Sequence, residues 1–439
     1  MNFISSIFDS LGDYIREQSL SSIVNTFWYM FYIEIPRFYI LDIYVLIKLY
    51  IQRHTNAQRE EAARIELNTL KPFISIIIPG NDEGEHIYRL ITSLNEQTYQ
   101  NFEVVVVDDG SDDNTPIICR SLIDAGLIDR FYSVDERGGK ASAANLAMHD
   151  NDAEFIVHID ADSSLDRDAL EQLLIPFYAD RRVGAVGGCI KVRNINDTFC
   201  TTMQSLEYIE TIQMGRTVNA ELGIYRIVSG AFGAFRADVL RQVGYWDVGP
   251  GLDGDLTQKI RKAGYRIAFA RKSICLTTVP ESFAALYKQR QRWSKSLVRF
   301  RLRKHNNVFN LLSANFRAMN LISNIDNILF NFIFDIVWLV YLVTLIANNI
   351  GSVTDVLVLK FLITIPLAIV SFLMCMTISE RRNEEIKLLP YTIFQSLFTS
   401  YYLRFNRLVS ALSELFFFTS YRDIWNPTKS SRIARHEQI

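Results

Sequence analysis

Cysteines are few in this chain, and their spacing carries no pattern. The five, Cys119, Cys189, Cys200, Cys275 and Cys375, form no CxxC or CxxH. That argues against a zinc site or a disulfide framework and reads most simply as reduced thiols in the cytosol. A dominant charge sign is also missing: 46 Lys and Arg stand against 48 Asp and Glu, a formal net charge of −2. A protein whose main task is neutralising nucleic-acid phosphates is thereby excluded. No GxGxxG follows the first strand, which speaks against a soluble dinucleotide-binding enzyme. There is no internal repeat and no low-complexity tract. Hydrophobic residues make up 49% of the 439 positions, aromatics 12% and charged residues 21%, with a mean hydropathy of +0.09. Disordered and collagen-like chains are excluded. The values are too apolar for an ordinary soluble enzyme and too charged for an all-membrane transporter, so they average unlike parts.

The parts separate along the chain. Phe3, Ile4, Ile7, Phe8, Leu11 and Ile15 predict an amphipathic helix able to lie on a bilayer. The apolar stretch Ile23 to Ile51 is long enough to cross one, although Glu34, Pro36, Arg37 and Asp42 interrupt it. Arg53, Arg59 and Arg64 then place the following polar linker in the cytosol by the positive-inside rule. From Phe73 to about Pro280 no segment is apolar enough to span. A basic amphipathic stretch follows, with Lys288, Arg290, Arg292, Lys295, Arg299, Arg301, Arg303 and Lys304. Two clear spans come next, Ile328 to Ala347 and Val356 to Ile378. The region Leu388 to Thr419, broken by Arg404 and Arg407, reads as a span, a re-entrant hairpin or an interfacial helix pair. Arg422, Lys429, Arg432 and Arg435 favour a cytosolic tail. The expected divisions are 1–52, a 53–72 linker, 73–280, 281–322, 323–420 and 421–439.

Within 73–280, the β-branched runs Ile74 to Ile78, Val104 to Val107, Phe155 to Ile159 and Val183 to Val186 alternate with helical patterns at Ile87 to Leu94, Thr115 to Ala125 and Asp166 to Tyr178. Near-continuous apolar strands mean burial on both faces, so the expected fold class is a doubly wound α/β domain. In such sheets ligands sit beyond the carboxyl ends of the strands. Those ends here carry Asp108-Asp109-Gly110-Ser111 and Asp160-Ala161-Asp162-Ser163. Residues i and i+2 of an extended chain point the same way, so Asp160 and Asp162 aim two carboxylates at one spot, which suits a hard divalent cation. Helix capping is the structural alternative; two acidic clusters at adjacent strand ends favour ligand and metal.

Three further motifs follow. Arg137-Gly138-Gly139-Lys140 precedes a helix at Ser142 to Met148, a place for close backbone approach to an anion, or a plain surface turn. In Gly249-Pro250-Gly251-Leu252-Asp253-Gly254-Asp255, Asp255 reads as the N-cap of a helix at Leu256 to Ala263. Asp253, ahead of that cap with no structural task, is a candidate base. In Gln289-Arg290-Gln291-Arg292-Trp293, helical spacing brings Gln289, Arg292 and Trp293 to one face. There an arginine can grip a diphosphate and an indole can stack on a sugar, or the helix can simply rest at a membrane surface.

In this order the DDGS, DAD, LDGDL and QRQRW motifs resemble the membrane-bound processive family 2 glycosyltransferases: hyaluronan, chitin-oligosaccharide, poly-N-acetylglucosamine and cellulose synthases. QxxRW is the most specific. The stretch Arg292 to Ser296 with Arg299, and the tail around Trp425 to Thr428, look most like hyaluronan synthases. The resemblance implies a GT-A-like, Rossmann-like cytosolic domain with a mixed, mainly parallel sheet, joined to transmembrane and interfacial helices of a multi-pass protein of the plasma or inner membrane. It implies that Asp108 and Asp109 hold uracil and ribose, with Pro79, Asn81, Glu83 and Lys140 near the nucleotide. Asp160 and Asp162 would bind the UDP diphosphate through Mg²⁺ or Mn²⁺, and Asp253 would be the general base. Gln289, Arg292 and Trp293 would cap the diphosphate and the acceptor end; Ser229, Gly230 and Ala231 would line the acceptor channel. The implied partners are a UDP-sugar donor, a growing polysaccharide acceptor and the lipid bilayer, with room for an accessory export or regulatory subunit. UDP-N-acetylglucosamine is the favoured donor, UDP-glucose and UDP-glucuronate remaining open. Two positions depart from the pattern: the family's PxYNE is Pro79-Gly80-Asn81-Asp82-Glu83, and the acidic residue before the base is Leu252. The alternatives are a non-processive transferase loading a lipid carrier and a degenerate assembly subunit.

Overall fold

The structure is a computed structural model that describes residues 2–247, 251–313 and 316–422. Its sheet contains β1 (Ile74–Gly80), β2 (Phe102–Asp109), β3 (Arg130–Val134), β4 (Phe155–Ile159), β5 (Ser163–Leu165), β6 (Val183–Val192), β7 (Phe232–Arg236) and β8 (Arg266–Thr277) in the order β3-β2-β1-β4-β7-β6-β8-β5. β1 pairs in parallel with β2 and β4, β2 with β3, and β6 with β8. β7 runs antiparallel between β4 and β6, and β5 is antiparallel to β8 at the edge. The sheet is therefore mixed and mainly parallel.

The continuous apolar runs of the central strands have the expected cause. Ile76, Ile78, Val104 and Val106 face one hydrophobic layer with Ile87, Leu90, Cys119 and Leu170. Their neighbours Ile77, Val105 and Val107 face a second layer with Ala144, Leu240, Leu256 and Ile260. Helices cover both faces, so consecutive strand positions are apolar rather than every second one. Glycines in β6 allow the closest packing: a Cβ on Gly188 would collide with the ring of Phe232 on β7.

Strands β3, β5, β7 and β8 were not among the expected ones, because their sequences hide them. Arg271 and Lys272 interrupt the apolar run of β8, whose pairing with β6 is irregular, with a register shift between Gly188 and Cys189. The expected linker 53–72 is instead mostly the helix Arg53–Leu70, whose Ala63 and Leu67 enter the core. Lys272 with Glu60 (2.9 Å), and Arg181 with Glu66, tie it down.

Around this domain lie the helical segments. The amphipathic Asn2–Glu17 helix forms as expected. The chain from Leu20 to Ile51 is helical, with π-helical turns at Met30–Glu34 and Pro36–Ile40, where Pro36 supplies no N–H donor. Two helices, Ala318–Asn348 and Ile350–Thr377, are long and apolar enough to cross a membrane. From Gln395 to Phe417 the chain is helical, and the arginines that break its apolar run are paired inside the protein. Arg404 meets Glu34 at 2.9 Å, and Arg407 meets Asp335 at 2.6 Å. Asp335, within the span Ile328 to Ala347, is thus buried against these arginines. The basic stretch at 288–304 is likewise partly turned inward: Arg290 and Arg301 are buried. The motif around Trp425 and the tail residues Lys429, Arg432 and Arg435 lie outside the described residues, as do Gly249 and Pro250.

Candidate active site

The register sets the floor of the site. Gly80 lies opposite Asp108, and Ile77 opposite His158, so the ends of β1, β2 and β4 bring Gly80 to Glu83, Asp108 to Asp109, and Asp160 to Asp162 side by side. Each cluster uses its polar atoms differently.

Asp108 is buried and satisfied inside the chain. Its Oδ1 accepts from the Ser111 amide at 3.1 Å and from the Ser111 hydroxyl, and its Oδ2 accepts from Ser133 at 2.8 Å. Asp109 clamps the glycine pair, accepting from the amides of Gly138 and Gly139 at 2.8 Å each. Burial raises its pKa, and those two amides oppose the rise. Asn81 donates through Nδ2 to the carbonyls of Asp109 and Gly110 at 3.1 and 3.0 Å. The first two acidic side chains and Asn81 therefore build the loops around the pocket, with Pro79 on β1 behind them.

The Gly138-Gly139 turn leads into the helix Lys140–Ala147 and projects Lys140 across the pocket, where its Nζ is bonded to Asp160. Burial would lower the lysine pKa, but Asp160 and Asp253 outweigh it and hold it above the ordinary value. Asp162 is raised by burial and by Asp160, and accepts from Thr277 at 3.3 Å. Glu83, facing both aspartates, is pushed up to about 8, first by burial and then by their charges.

Asp253 reaches the same point from the opposite side of the fold. The helix Leu252–Ala263 begins at Gly251, so Asp253 stands in its first turn rather than ahead of the cap. Asp255 is not the N-cap: it is buried in the same turn and paired with His305 at 2.7 Å and Lys304 at 2.7 Å. Leu252, the departure before Asp253, packs beside the hydrophobic layer that contains Leu256. Burial raises the Asp253 pKa, opposed by Lys140 and by the Gly230 backbone. Ser229, Gly230 and Ala231 form the approach to β7; the Ala231 carbonyl accepts from the Asp160 amide at 3.2 Å. A Cβ on Gly230 would stand 2.6 Å from Asp253 Oδ1 and 2.9 Å from Lys140 Nζ. Glu83, Lys140, Asp160, Asp162, Gly230 and Asp253 thus share one focus.

The QxxRW residues lie on the helix Phe283–Ser296, started by the Ser282 hydroxyl accepting from the Ala285 amide. A Cβ on Gly251 would collide with Ser296, so the end of this helix lies against the turn that carries Asp253. Gln289 has a buried Oε1 without a hydrogen bond among the described residues. Trp293 is 44% exposed, with the guanidinium carbon of Arg290 4.2 Å from its ring centroid. Arg292, one position before it, is on the same helix.

Four residues of the site were not anticipated. His158 precedes Asp160 by two on β4, a spacing that could have revealed it; its Nδ1 is bonded to the Gly230 carbonyl, and burial and Lys140 push its pKa down to about 3. Arg290 is bonded to the buried Glu207 at 2.7 Å, a pairing across 83 positions that leaves no local signal. Arg216 lowers the Asp253 pKa and has a buried Nη1 without a hydrogen bond among the described residues.

Whether a divalent cation fits can be judged from the donors. No group of three or more His, Cys, Asp or Glu positioned to hold a metal occurs among the described residues. Asp160 and Asp162 offer hard oxygen donors and Glu83 faces both. Two carboxylates plus phosphate oxygens and waters is the set that Mg²⁺ or Mn²⁺ uses, and Lys140 occupies the cationic position on Asp160. The donors fit.

Comparison with known proteins identifies the family. Residues 72–296 match the family described as "Glycosyltransferase like family 2". The chain is 29% identical over 224 residues to the poly-beta-1,6-N-acetyl-D-glucosamine synthase of Staphylococcus aureus (strain COL), covering 51% of this chain and 54% of that protein. It is 28% identical over 223 residues to the protein of the same name from Staphylococcus epidermidis (strain ATCC 35984), with the same coverage. The match spans about half the length of these curated relatives. Among solved structures, the mannosyltransferase PcManGT from Pyrobaculum calidifontis, in complex with GDP-Man and Mn²⁺, superposes with a TM-score of 0.53 at 19% identity, covering 86% of this chain and 99% of that one. The likeness shows a shared GT-A-like fold. With more than half of its length matched by that family, and with acidic strand ends meeting an aspartate from a separate helix, the chain belongs to glycosyltransferase-like family 2.

Proposed function

We propose that the chain is a processive, inverting glycosyltransferase of a cell membrane, polymerising a UDP-sugar into a β-linked polysaccharide that passes out through its own helices. UDP-N-acetylglucosamine is the favoured donor, in keeping with the names of the staphylococcal relatives. The observation that carries the reading is the convergence of Lys140, Asp160 and Asp253 at Gly230, since it sets the lysine that pairs with Asp160 against a second carboxylate from a separate helix.

In this reading Asp253 takes the proton from the acceptor hydroxyl as that oxygen attacks the anomeric carbon. The bond to the diphosphate breaks on the opposite face, and UDP leaves with the electron pair. The raised pKa of Asp253 makes it a stronger base than an exposed aspartate. Asp160 and Asp162 would hold Mg²⁺ or Mn²⁺, which would supply neutralisation of the diphosphate charge. Lys140 and Arg292 add fixed positive charge at the leaving group. Asp108 and Asp109 shape the uridine side through the loops that they brace, and Trp293, supported from beneath by Arg290, offers a stacking face to the acceptor sugar. Ser229, Gly230 and Ala231 border the path between them. The helices Ala318–Asn348 and Ile350–Thr377 hold this site at a bilayer, so that a polar chain leaving it meets protein rather than lipid.

The test is incubation of purified protein with a panel of UDP-sugars with and without Mg²⁺ or Mn²⁺, followed by sizing of the product. Long polymer from one donor, dependent on the cation, is expected. Addition of a single sugar to a lipid would replace this reading with a non-processive one, and absence of UDP release would leave a non-catalytic assembly subunit.

A further inference from the structure

The helical region holds a cleft at the end remote from the α/β domain. Along the helix Ala318–Asn348, Ser323 near the start donates to the carbonyl of Ile224 in that domain at 3.0 Å. Asn348 ends the same helix, about 40 Å further on at ~1.5 Å per residue. There the helix runs beside Leu20–Thr26. Tyr341 donates to the Thr26 carbonyl at 3.1 Å, and its ring meets that of Trp28 edge-on with centroids 5.7 Å apart. Beside this contact lies a cleft of about 520 Å³, bordered by Ser22, Asn25, Trp28, Tyr341, Thr344 and Asn348 among others.

Two properties of the cleft set it apart. Its polar groups fall at helical spacing, Ser22 with Asn25 and Tyr341 with Thr344 and Asn348, so two polar stripes face each other from otherwise apolar helices. The amides of Asn25 and Asn348 make no hydrogen bond among the described residues; facing lipid, they would be costly. Moreover, no charged side chain borders the cleft among the described residues. A phosphate or carboxylate would find no counter-charge there. Hydroxyls and amides that both donate and accept, beside two aromatic rings, match a neutral, hydroxyl-rich ligand. The volume lies in the range of about 300–1,000 Å³ usual for small-ligand sites.

We propose that this cleft is a binding site for an uncharged saccharide on the far side of the bilayer, holding the emerging end of the polymer. The inference rests on the function proposed above, and adds a site that the reaction itself does not need. Trp28 stacks on a sugar ring, while Asn25, Thr344 and Asn348 bond its hydroxyls.

An Asn348→Cys variant of the full chain tests it, because the five native cysteines are all buried. Sealed right-side-out vesicles are treated with a membrane-impermeant maleimide, with a neutral β-1,6-linked N-acetylglucosamine tetrasaccharide added outside as the probe. Labelling is expected from outside, slowed about tenfold by the tetrasaccharide at ten times its dissociation constant. Trp28→Ala in the same background should remove that protection, and glycerophosphocholine should give none. Equal protection by glycerophosphocholine would assign the cleft to lipid headgroups. No labelling from outside, or no concentration-dependent protection, would overturn the proposal. Polymer formation from UDP-sugars by the same vesicles after permeabilisation is read separately. Normal synthesis without protection removes the cleft alone, whereas absent synthesis by the wild-type chain removes the function on which it rests.

Discussion

Gly230 lies so close to Asp253 that a single added carbon would stand 2.6 Å from the carboxylate oxygen. Hydrogen is the only side chain the position accepts while Asp253 and Lys140 keep their places. Both crowded atoms are the far ends of flexible side chains, so a methyl group there displaces them without breaking the fold. Gly230→Ala should therefore retain a near-normal melting temperature in detergent while losing roughly 10²-fold or more of turnover, the scale of a misplaced base. Loss of folding instead of turnover would show that the loop is structural only.

Replacing the proposed base, Asp253, separates chemistry from binding. Asp253→Asn should lower turnover by about 10²–10⁴-fold and leave UDP affinity within a small factor. Asp162→Ala should do the reverse at its own step: cation-dependent UDP binding weakens, and chelation no longer changes the affinity. Equilibrium binding of UDP with and without Mg²⁺ distinguishes the two. A retained cation response in Asp162→Ala would remove that residue from the diphosphate site.

Arg290 and Glu207 form a buried pair beneath Trp293. Removing one partner strands the other, at a cost of about 3–5 kcal/mol in typical buried pairs. Glu207→Gln keeps shape and removes only the charge. It should free the arginine, loosen the indole, and raise KM for the acceptor more than it lowers kcat. A merely structural pair would lower the melting temperature and leave the ratio unchanged.

Asp180 fastens the beginnings of β6 and β8, bonded to Arg182 at 3.0 Å and Arg266 at 2.7 Å. The bond from Arg182 is the main cause that lowers its pKa to about 2. A depressed carboxylate stabilises the fold fully above its unfolded value near 4, and that contribution fades as pH falls through about 2. Asp180→Asn should be less stable than the wild type at pH 5–7, with the difference shrinking below pH 4. The effect is small, because the pair is largely exposed. Thermal melts across that range check the sign.

In the helical region, Asp335 balances Arg404 and Arg407. Asp335→Leu should sharply reduce folded yield by leaving the buried Arg404 and the partly buried Arg407 without the carboxylate that both contact, and the added change Arg407→Leu should restore much of it. No recovery in the double variant would mean that Asp335 has a role beyond that pairing.

What the sequence determined by itself was the local and the periodic. Runs such as Ile74 to Ile78 and Val104 to Val107 fixed buried strands because a doubly covered sheet leaves no polar face. The spacing of Asp160 and Asp162 fixed their common direction, and QxxRW fixed a shared helical face. Only the tertiary structure decided what each carboxylate does. Asp108 and Asp109 are consumed in bracing loops, Asp255 is buried against His305 and Lys304, and Asp253 is brought to Lys140 and Gly230 from across the fold. The same holds for Glu207 beneath Trp293 and Glu34 beside Arg404. Electrostatic pairing depends on distance in space, and the chain carries no record of that distance until it has folded.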